Sequence, residues 1–168
     1  AGCPHKGLFL ALHRLNAQVM GDIGCYTLGA LPPMQAVDAC ICMGASVGMA
    51  HGFDKATDGE DSKKTVAVIG DSTFMHSGIT NLLNAVYNES SMTLIILDNS
   101  ITGMTGHQQN PATGMNIRLD KAPQLDLEKL CESLGVNSIK VVDPVDTFTC
   151  EKVIKEEMSK NEVSVVIA

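Results

Sequence analysis

The stretch GDSTFMHSGITNLLNAVYNESSMTLIILDNSITGMTG, residues 70–106, governs how the rest of the chain is read. Val66, Ala67, Val68 and Ile69 form an apolar run that leads into Gly70-Asp71-Ser72. Ile79, Leu82, Leu83, Val86 and Tyr87 then recur at helical spacing on one face. Leu94, Ile95, Ile96 and Leu97 make a second uninterrupted apolar run, ending at Asp98-Asn99. Two runs without a polar face, joined by a helix, predict neighbouring parallel strands in a sheet covered on both sides. Both polar clusters then lie at the carboxyl edge, where open α/β sheets bind ligands.

That edge suits a divalent cation and a phosphorylated ligand. Asp71 and Asn99 stand 28 positions apart (71 to 99), yet one crossover brings them together. A carboxylate, an amide oxygen and one loop carbonyl are a hard, all-oxygen set of the kind Mg²⁺ accepts, with water and substrate phosphate as its other ligands. A helix N-terminus expected at about His76-Ser77-Gly78 would offer free backbone N–H groups to the phosphate. A helix-capping Asp71 and a turn-forming Asn99 are the plain alternatives.

The chain has 168 residues, 45% hydrophobic and 18% charged, enough for one domain with a real core. The surplus apolar character predicts a face packed on another domain or subunit. No run nears the ~20 apolar residues of a membrane helix, and no signal-peptide pattern occurs. A net charge of −7, two Tyr, no Trp and no basic run argue against a nucleic-acid partner and fit a cytoplasmic protein. The start at Ala1 and the strand-like end from Val163 to Ala168 read as a segment of a longer polypeptide. The six cysteines do not resemble a secreted disulfide framework. Cys131 and Cys150 fall on apolar helical faces, whereas Cys3, Cys25, Cys40 and Cys42 sit in N-terminal loops.

Around the central stretch the elements alternate. Leu8, Leu12, Leu15 and Val19 mark a first helix, and Val19 to Ile23 a short strand. Leu31-Pro32-Pro33-Met34 is a loop. Gly44, Gly48 and Gly52 recur every four residues, predicting a helix with a small-residue face for close packing or cofactor contact. Asp54 to Lys64 reads as a solvated charged turn, and Gly103 to Gly114 as a long functional or mobile loop. A helix around Leu127–Leu134 closed by Gly135, a strand over Ile139–Val142, a helix over Phe148–Met158 and a last strand over Val163–Ile167 follow. The expected fold is an α/β domain, a mainly parallel sheet with helices on both faces, spanning residues 1–168.

Gly70-Asp71-Ser72 followed by Asp98-Asn99 resembles the metal and diphosphate signature of thiamine diphosphate enzymes. Four further segments narrow the resemblance: Gly2-Cys3-Pro4-His5-Lys6-Gly7, Gly21 to Gly29, Cys40-Ile41-Cys42-Met43-Gly44 and Met104-Thr105-Gly106-His107-Gln108. Together they are similar to the alpha subunit of indolepyruvate ferredoxin oxidoreductase, within the 2-oxoacid:ferredoxin oxidoreductases. Ser72 departs from the usual third Gly, and its Cβ limits how closely backbone approaches a diphosphate.

The resemblance implies a set of roles. Asp71, Asn99 and the Ile101 carbonyl would hold Mg²⁺. Gly70, Asp71, Ser72, Cys25, Cys42, Gly44, Ile101 and Thr102 would contact thiamine diphosphate. Met43 would wedge between its rings, unless it is a plain core residue. His107 would meet the substrate carboxylate or act in proton transfer, and His5 and His76 could approach the same edge. Cys3 and Cys25 match positions that in relatives ligate a [4Fe–4S] cluster; the alternatives are ordinary thiols and zinc held by Cys3-x-His5 and Cys40-x-Cys42, although neither spacing is the usual two-residue one.

The implied activity is oxidative decarboxylation of indolepyruvate and other aryl pyruvates to acyl-coenzyme A, with electrons passed to ferredoxin. It would operate in an oligomer with a pyrimidine-binding domain and a second subunit. The rivals are another 2-oxoacid:ferredoxin oxidoreductase, a non-oxidative decarboxylase or acetolactate synthase, and a non-catalytic cofactor-binding module. The pyrimidine-contacting Glu of such enzymes has no counterpart here: Glu60, Glu89, Glu128, Glu132, Glu151, Glu156, Glu157 and Glu162 all read as solvated, so the segment alone is expected to be inactive. No G-x-G-x-x-G follows a strand, which disfavours a nicotinamide Rossmann domain.

Overall fold

The computed structural model describes residues 2–57 and 65–168. Its strands are β1 (Gln18–Gly21), β2 (Ala39–Cys40), β3 (Thr65–Gly70), β4 (Met92–Leu97), β5 (Ser138–Val141) and β6 (Ser164–Ile167). They form one sheet in the order β2-β1-β3-β4-β6-β5, parallel at every pairing. The central strands β3 and β4 are buried at every position. Neither has a wet face, which is why their sequences are apolar runs rather than alternations. They pair from Thr65↔Met92 to Gly70↔Leu97, so their polar successors leave the sheet side by side.

Helices α2 (Ala45–Thr57), α4 (Ile79–Tyr87) and α5 (Leu127–Ser133) cover one face, with Val47, Phe74, Leu82 and Cys131 packed on Ile69, Leu94 and Ile96. Helices α1 (Lys6–Arg14) and α6 (Thr147–Met158) cover the other, with Leu8, Leu12, Cys150 and Ile154 on Val68, Ile95 and Val166. Asp126 and Asp146 cap α5 and α6 by accepting from the backbone N–H of Lys129 and Thr149. Gly135, at φ +90°, ends α5 as expected.

Several local expectations are corrected. The helix after β3 starts at Asp71, not near His76: a short α3 (Asp71–Thr73) runs through a π-helical turn (Phe74–Gly78) into α4. The inserted residue lets buried Phe74 point into the core while Leu82 and Ala85 still do. Leu83 and Tyr87 are 50% and 82% exposed, because α4 packs through a narrower arc than its apolar stripe. Gly48 and Gly52 are exposed, and α2 packs through Ser46, Val47 and Ala50 instead. Asp54–Thr57 belong to α2; the rest of the expected charged turn, 58–64, lies outside the described residues. Val19 belongs to β1 alone, since α1 ends at Arg14. An antiparallel bridge between Thr102 and Gln108 closes the first part of the Gly103–Gly114 loop, which is otherwise irregular as expected. Glu157 is buried, its carboxylate bonded to Ser138 Oγ at 2.6 Å and Lys160 Nζ at 2.7 and 2.9 Å. It lies where β5 and β6 begin, at the sheet end opposite the candidate site.

Candidate cofactor site

Where β3 and β4 end, the chain opens a cavity of about 150 Å³. Gly70, Asp71, Ser72 and Thr73 line it from the strand-to-helix turn, and Asn99, Ile101, Thr102 and Met104 from the loop after β4. Cys3, His5, Ile23, Cys25, Tyr26 and Met43 supply the remaining wall from the N-terminal third. The three segments meet there because β1 and β4 flank β3 in the sheet.

Asp71 is 2% exposed. Its Oδ2 accepts from Asn110 Nδ2 at 2.9 Å, and as the first residue of α3 it sits where a helix N-terminus favours negative charge. Burial nevertheless outweighs these bonds and pushes its carboxyl above the ordinary carboxylate range, with Asp98 adding to the rise. A buried carboxylate whose one bonded side-chain partner among the described residues is a neutral amide is a natural ligand for a cation. Asn99 Oδ1 accepts from the Ile101 backbone N–H at 3.2 Å, a turn that holds the amide and the Ile101 carbonyl on one short loop. The oxygen donors thus have the hardness Mg²⁺ requires.

Ser72 and Thr102, both expected cofactor contacts, share a hydrogen bond of 2.7 Å between their hydroxyls. The side chain that departs from the usual glycine therefore ties the start of α3 to the loop after β4. Gly70 has a packing reason as well: a Cβ there would stand 2.9 Å from the Tyr26 ring. That ring lies on Gly24 and Gly70, with its hydroxyl donating to the Ile23 carbonyl at 3.1 Å. Burial pushes the Tyr26 phenol up to about 12, so it stays protonated.

Met43 is 53% exposed and lines the cavity, so it is no core methionine. Cys42 is exposed and Gly44 buried; neither touches the cavity. Gly44 has φ +86°, and a Cβ on it would run into Ser77 Oγ. His5 lines the cavity, with its ring donating to the Ala168 carbonyl at 3.0 Å. His76 and His107 are exposed and lie outside the lining, His107 at φ +63°. Cys3 and Cys25 both line the cavity and are exposed. Among the described residues, however, no three His, Cys, Asp or Glu side chains group closely enough to hold a metal. An iron–sulfur cluster held by these residues alone does not fit.

Two residues escaped the sequence reading. Asn110 orients the Asp71 carboxylate from 39 positions away, in a loop with no pattern to mark it. Asp22 is 0% exposed just after β1, and its carboxylate accepts from the Gly44 N–H in the turn before α2 and from the Ser46 N–H in the first turn of α2. An aspartate closing an apolar strand run was its one available signal, the same one that marked Asp71. Among the described residues, no helix is long and apolar enough to cross a membrane.

Residues 22–168 match the thiamine pyrophosphate enzyme, C-terminal TPP-binding domain family. The chain is 42% identical over 172 residues to indolepyruvate oxidoreductase subunit IorA of Archaeoglobus fulgidus and 40% over 179 residues to that of Pyrococcus horikoshii. Each alignment takes in 99% of this chain but only 27% and 28% of the relative, so the chain spans about a quarter of the length of these proteins. Among solved structures it resembles a 2-oxoglutarate:ferredoxin oxidoreductase of Magnetococcus marinus, with a TM-score of 0.82 and 18% identity over 99% of this chain and 61% of that one. It also resembles benzoylformate decarboxylase of Polynucleobacter necessarius, with a TM-score of 0.69 and 17% identity over 98% and 32%. At such identities the likeness is one of fold.

Proposed function

Since the chain belongs to the C-terminal, TPP-binding domain family of thiamine pyrophosphate enzymes, we propose that the carboxyl edge of β3 and β4 holds Mg²⁺ and thiamine diphosphate. The complete protein then oxidises a 2-oxoacid, indolepyruvate or another aryl pyruvate, to its acyl-coenzyme A with ferredoxin as electron acceptor. The observation that carries this reading is the Gly70↔Leu97 register, which delivers Asp71 and Asn99 to one cavity. The IorA relatives support the substrate class.

Each residue then has a task. Asp71, Asn99 Oδ1 and the Ile101 carbonyl hold the cation, and the first N–H groups of α3 face the diphosphate. Ser72 and Thr102 hold the two loops together across it. Met43 supplies an apolar surface for the cofactor rings, and the exposed side chains of Ile41, Met43 and Met104 are covered by the pyrimidine-binding domain or a second subunit. His107, two residues beyond Thr105 at the cavity rim, is assigned to the substrate side. When bound, the cofactor supplies the nucleophile and electron sink for decarboxylation, while the protein orients it and excludes water.

Calorimetry with thiamine diphosphate and Mg²⁺ tests the site: binding should be lost in Asp71→Ala. Reduction of ferredoxin or a viologen dye by the complete complex, dependent on indolepyruvate and coenzyme A, tests the reaction. Decarboxylation without dye reduction would identify a non-oxidative enzyme instead. The 168-residue chain alone should turn over no indolepyruvate: its one buried Glu among the described residues, Glu157, is at the wrong end of the sheet.

A further inference from the structure

Met43 lines the cavity yet is 53% exposed, so core packing does not fix its position. What fixes it is the backbone turn Cys42-Met43-Gly44, closed by the Ala45 N–H donating to the Cys42 carbonyl at 3.1 Å. That turn is held from beneath by a buried charge. The Gly44 N–H points between the two oxygens of Asp22, at 2.8 Å from each. Ser46 adds its N–H at 3.3 Å and its hydroxyl at 3.1 Å, and the Ile23 N–H donates at 2.7 Å. All these donors are neutral, although the carboxylate is 0% exposed. From the other side Asn81 Nδ2 donates to the Gly44 carbonyl at 2.8 Å, and the left-handed Gly44 leaves no room for a Cβ beside Ser77.

We propose that Asp22 is the positioning residue for Met43: its carboxylate sets the turn that aims this side chain at the bound cofactor. This rests on the reading that thiamine diphosphate occupies the cavity with Met43 against its rings. A carboxylate is needed because one N–H is shared by two oxygens. An amide of the same shape, in either orientation, would set an NH₂ group against the Gly44 N–H or the Ser46 donors. Asp22 touches no part of the cavity, so it acts through Met43.

The test uses the complete, assembled protein with thiamine diphosphate, Mg²⁺ and 2-oxoacid. Asp22→Asn should lower kcat about tenfold while the cofactor dissociation constant stays within about threefold, because the turn governs cofactor shape more than its anchoring. The near-ultraviolet circular dichroism of the bound aminopyrimidine should change with it. Met43→Ala should show the same signature, and Asp22→Asn/Met43→Ala should be no slower than Met43→Ala alone. Ser46→Ala, which keeps the carboxylate and removes one hydroxyl donor, should move kcat in the same direction by about threefold or less, and not at all when Met43 is already Ala. If Asp22→Asn does not fold, the Ser46 pair decides. Multiplying losses in the double variants, or wild-type kcat and dichroism in both single variants, would overturn the proposal. Failure of the unmodified protein to bind thiamine diphosphate would instead remove the site reading, and this inference with it.

Discussion

Replacing Ser72 by glycine puts two opposing effects in competition. The change restores the residue usual in thiamine enzymes and removes a Cβ from the edge where a diphosphate would approach. It also deletes the 2.7 Å hydroxyl bond to Thr102 that joins α3 to the loop after β4. A neutral hydrogen bond between half-buried groups is worth about 1 kcal/mol net. Glycine at a helical position costs about another 0.5–1 kcal/mol in backbone entropy. The loss should therefore be about 1.5–2 kcal/mol, seen as a lower urea midpoint for the 168-residue chain. Because the freed loop carries Asn99 and Ile101, it must be ordered again when cofactor binds. Calorimetry should then show Mg²⁺–thiamine diphosphate bound about fivefold more weakly, roughly 1 kcal/mol. Thr102→Val deletes the same bond at the same volume, and a double-mutant cycle between the two positions should return a coupling of about 1 kcal/mol. Zero coupling, or tighter cofactor binding by Ser72→Gly, would refute the reasoning and show the serine to be an obstruction.

Asp71 and Glu157 make contrasting predictions. Burial raises the Asp71 carboxyl above its ordinary value, so this group favours folding most when protonated, below about pH 4, and that contribution is lost as pH rises through the raised value. Asp71→Asn should therefore leave the metal-free chain no less stable at pH 7 and flatten its acid-range urea profile. The stabilisation from Mg²⁺–thiamine diphosphate, about 2.7 kcal/mol at a hundredfold excess over Kd, should vanish. Glu157→Ala should do the reverse: a loss of about 2–3 kcal/mol in urea unfolding, less than the ~3–5 kcal/mol of a fully buried ion pair because Lys160 is 34% exposed. Cofactor affinity measured in the complete protein should be unchanged, since Glu157 lies at the amino ends of β5 and β6.

Much of this was legible in the chain itself. Continuous apolar runs at Val66–Ile69 and Leu94–Leu97 announced two central parallel strands, because a strand covered on both sides has no position at which water tolerates alternation. Crossover geometry then required Asp71 and Asn99 to leave the same edge. Cys131 and Cys150 were placed in the core by helical period alone, and both are buried. These readings depend on interactions between residues close in sequence or on one repeated spacing.

Contacts between distant segments were decided only by folding. Spacing put Leu83 and Tyr87 on the apolar face of α4, but the width of the contact depends on what lies opposite, and both face solvent. Gly48 and Gly52 looked like packing residues, yet the close approach falls on Gly44 against Ser77. Glu157 looked solvated until Ser138 and Lys160 closed over it. Asp22 and Asn110 reach partners 22 and 39 positions away, and no period links a carboxylate to a turn beyond the next strand. Sequence alone determined the alternation of the longer strands and helices, though not the two-residue β2 or the short α3, and the edge at which the polar groups after β3 and β4 collect, because hydrophobic period is a local property. Tertiary structure decided which polar side chains hold that edge in shape, because a buried hydrogen bond is specified by two segments that meet only after the sheet has formed.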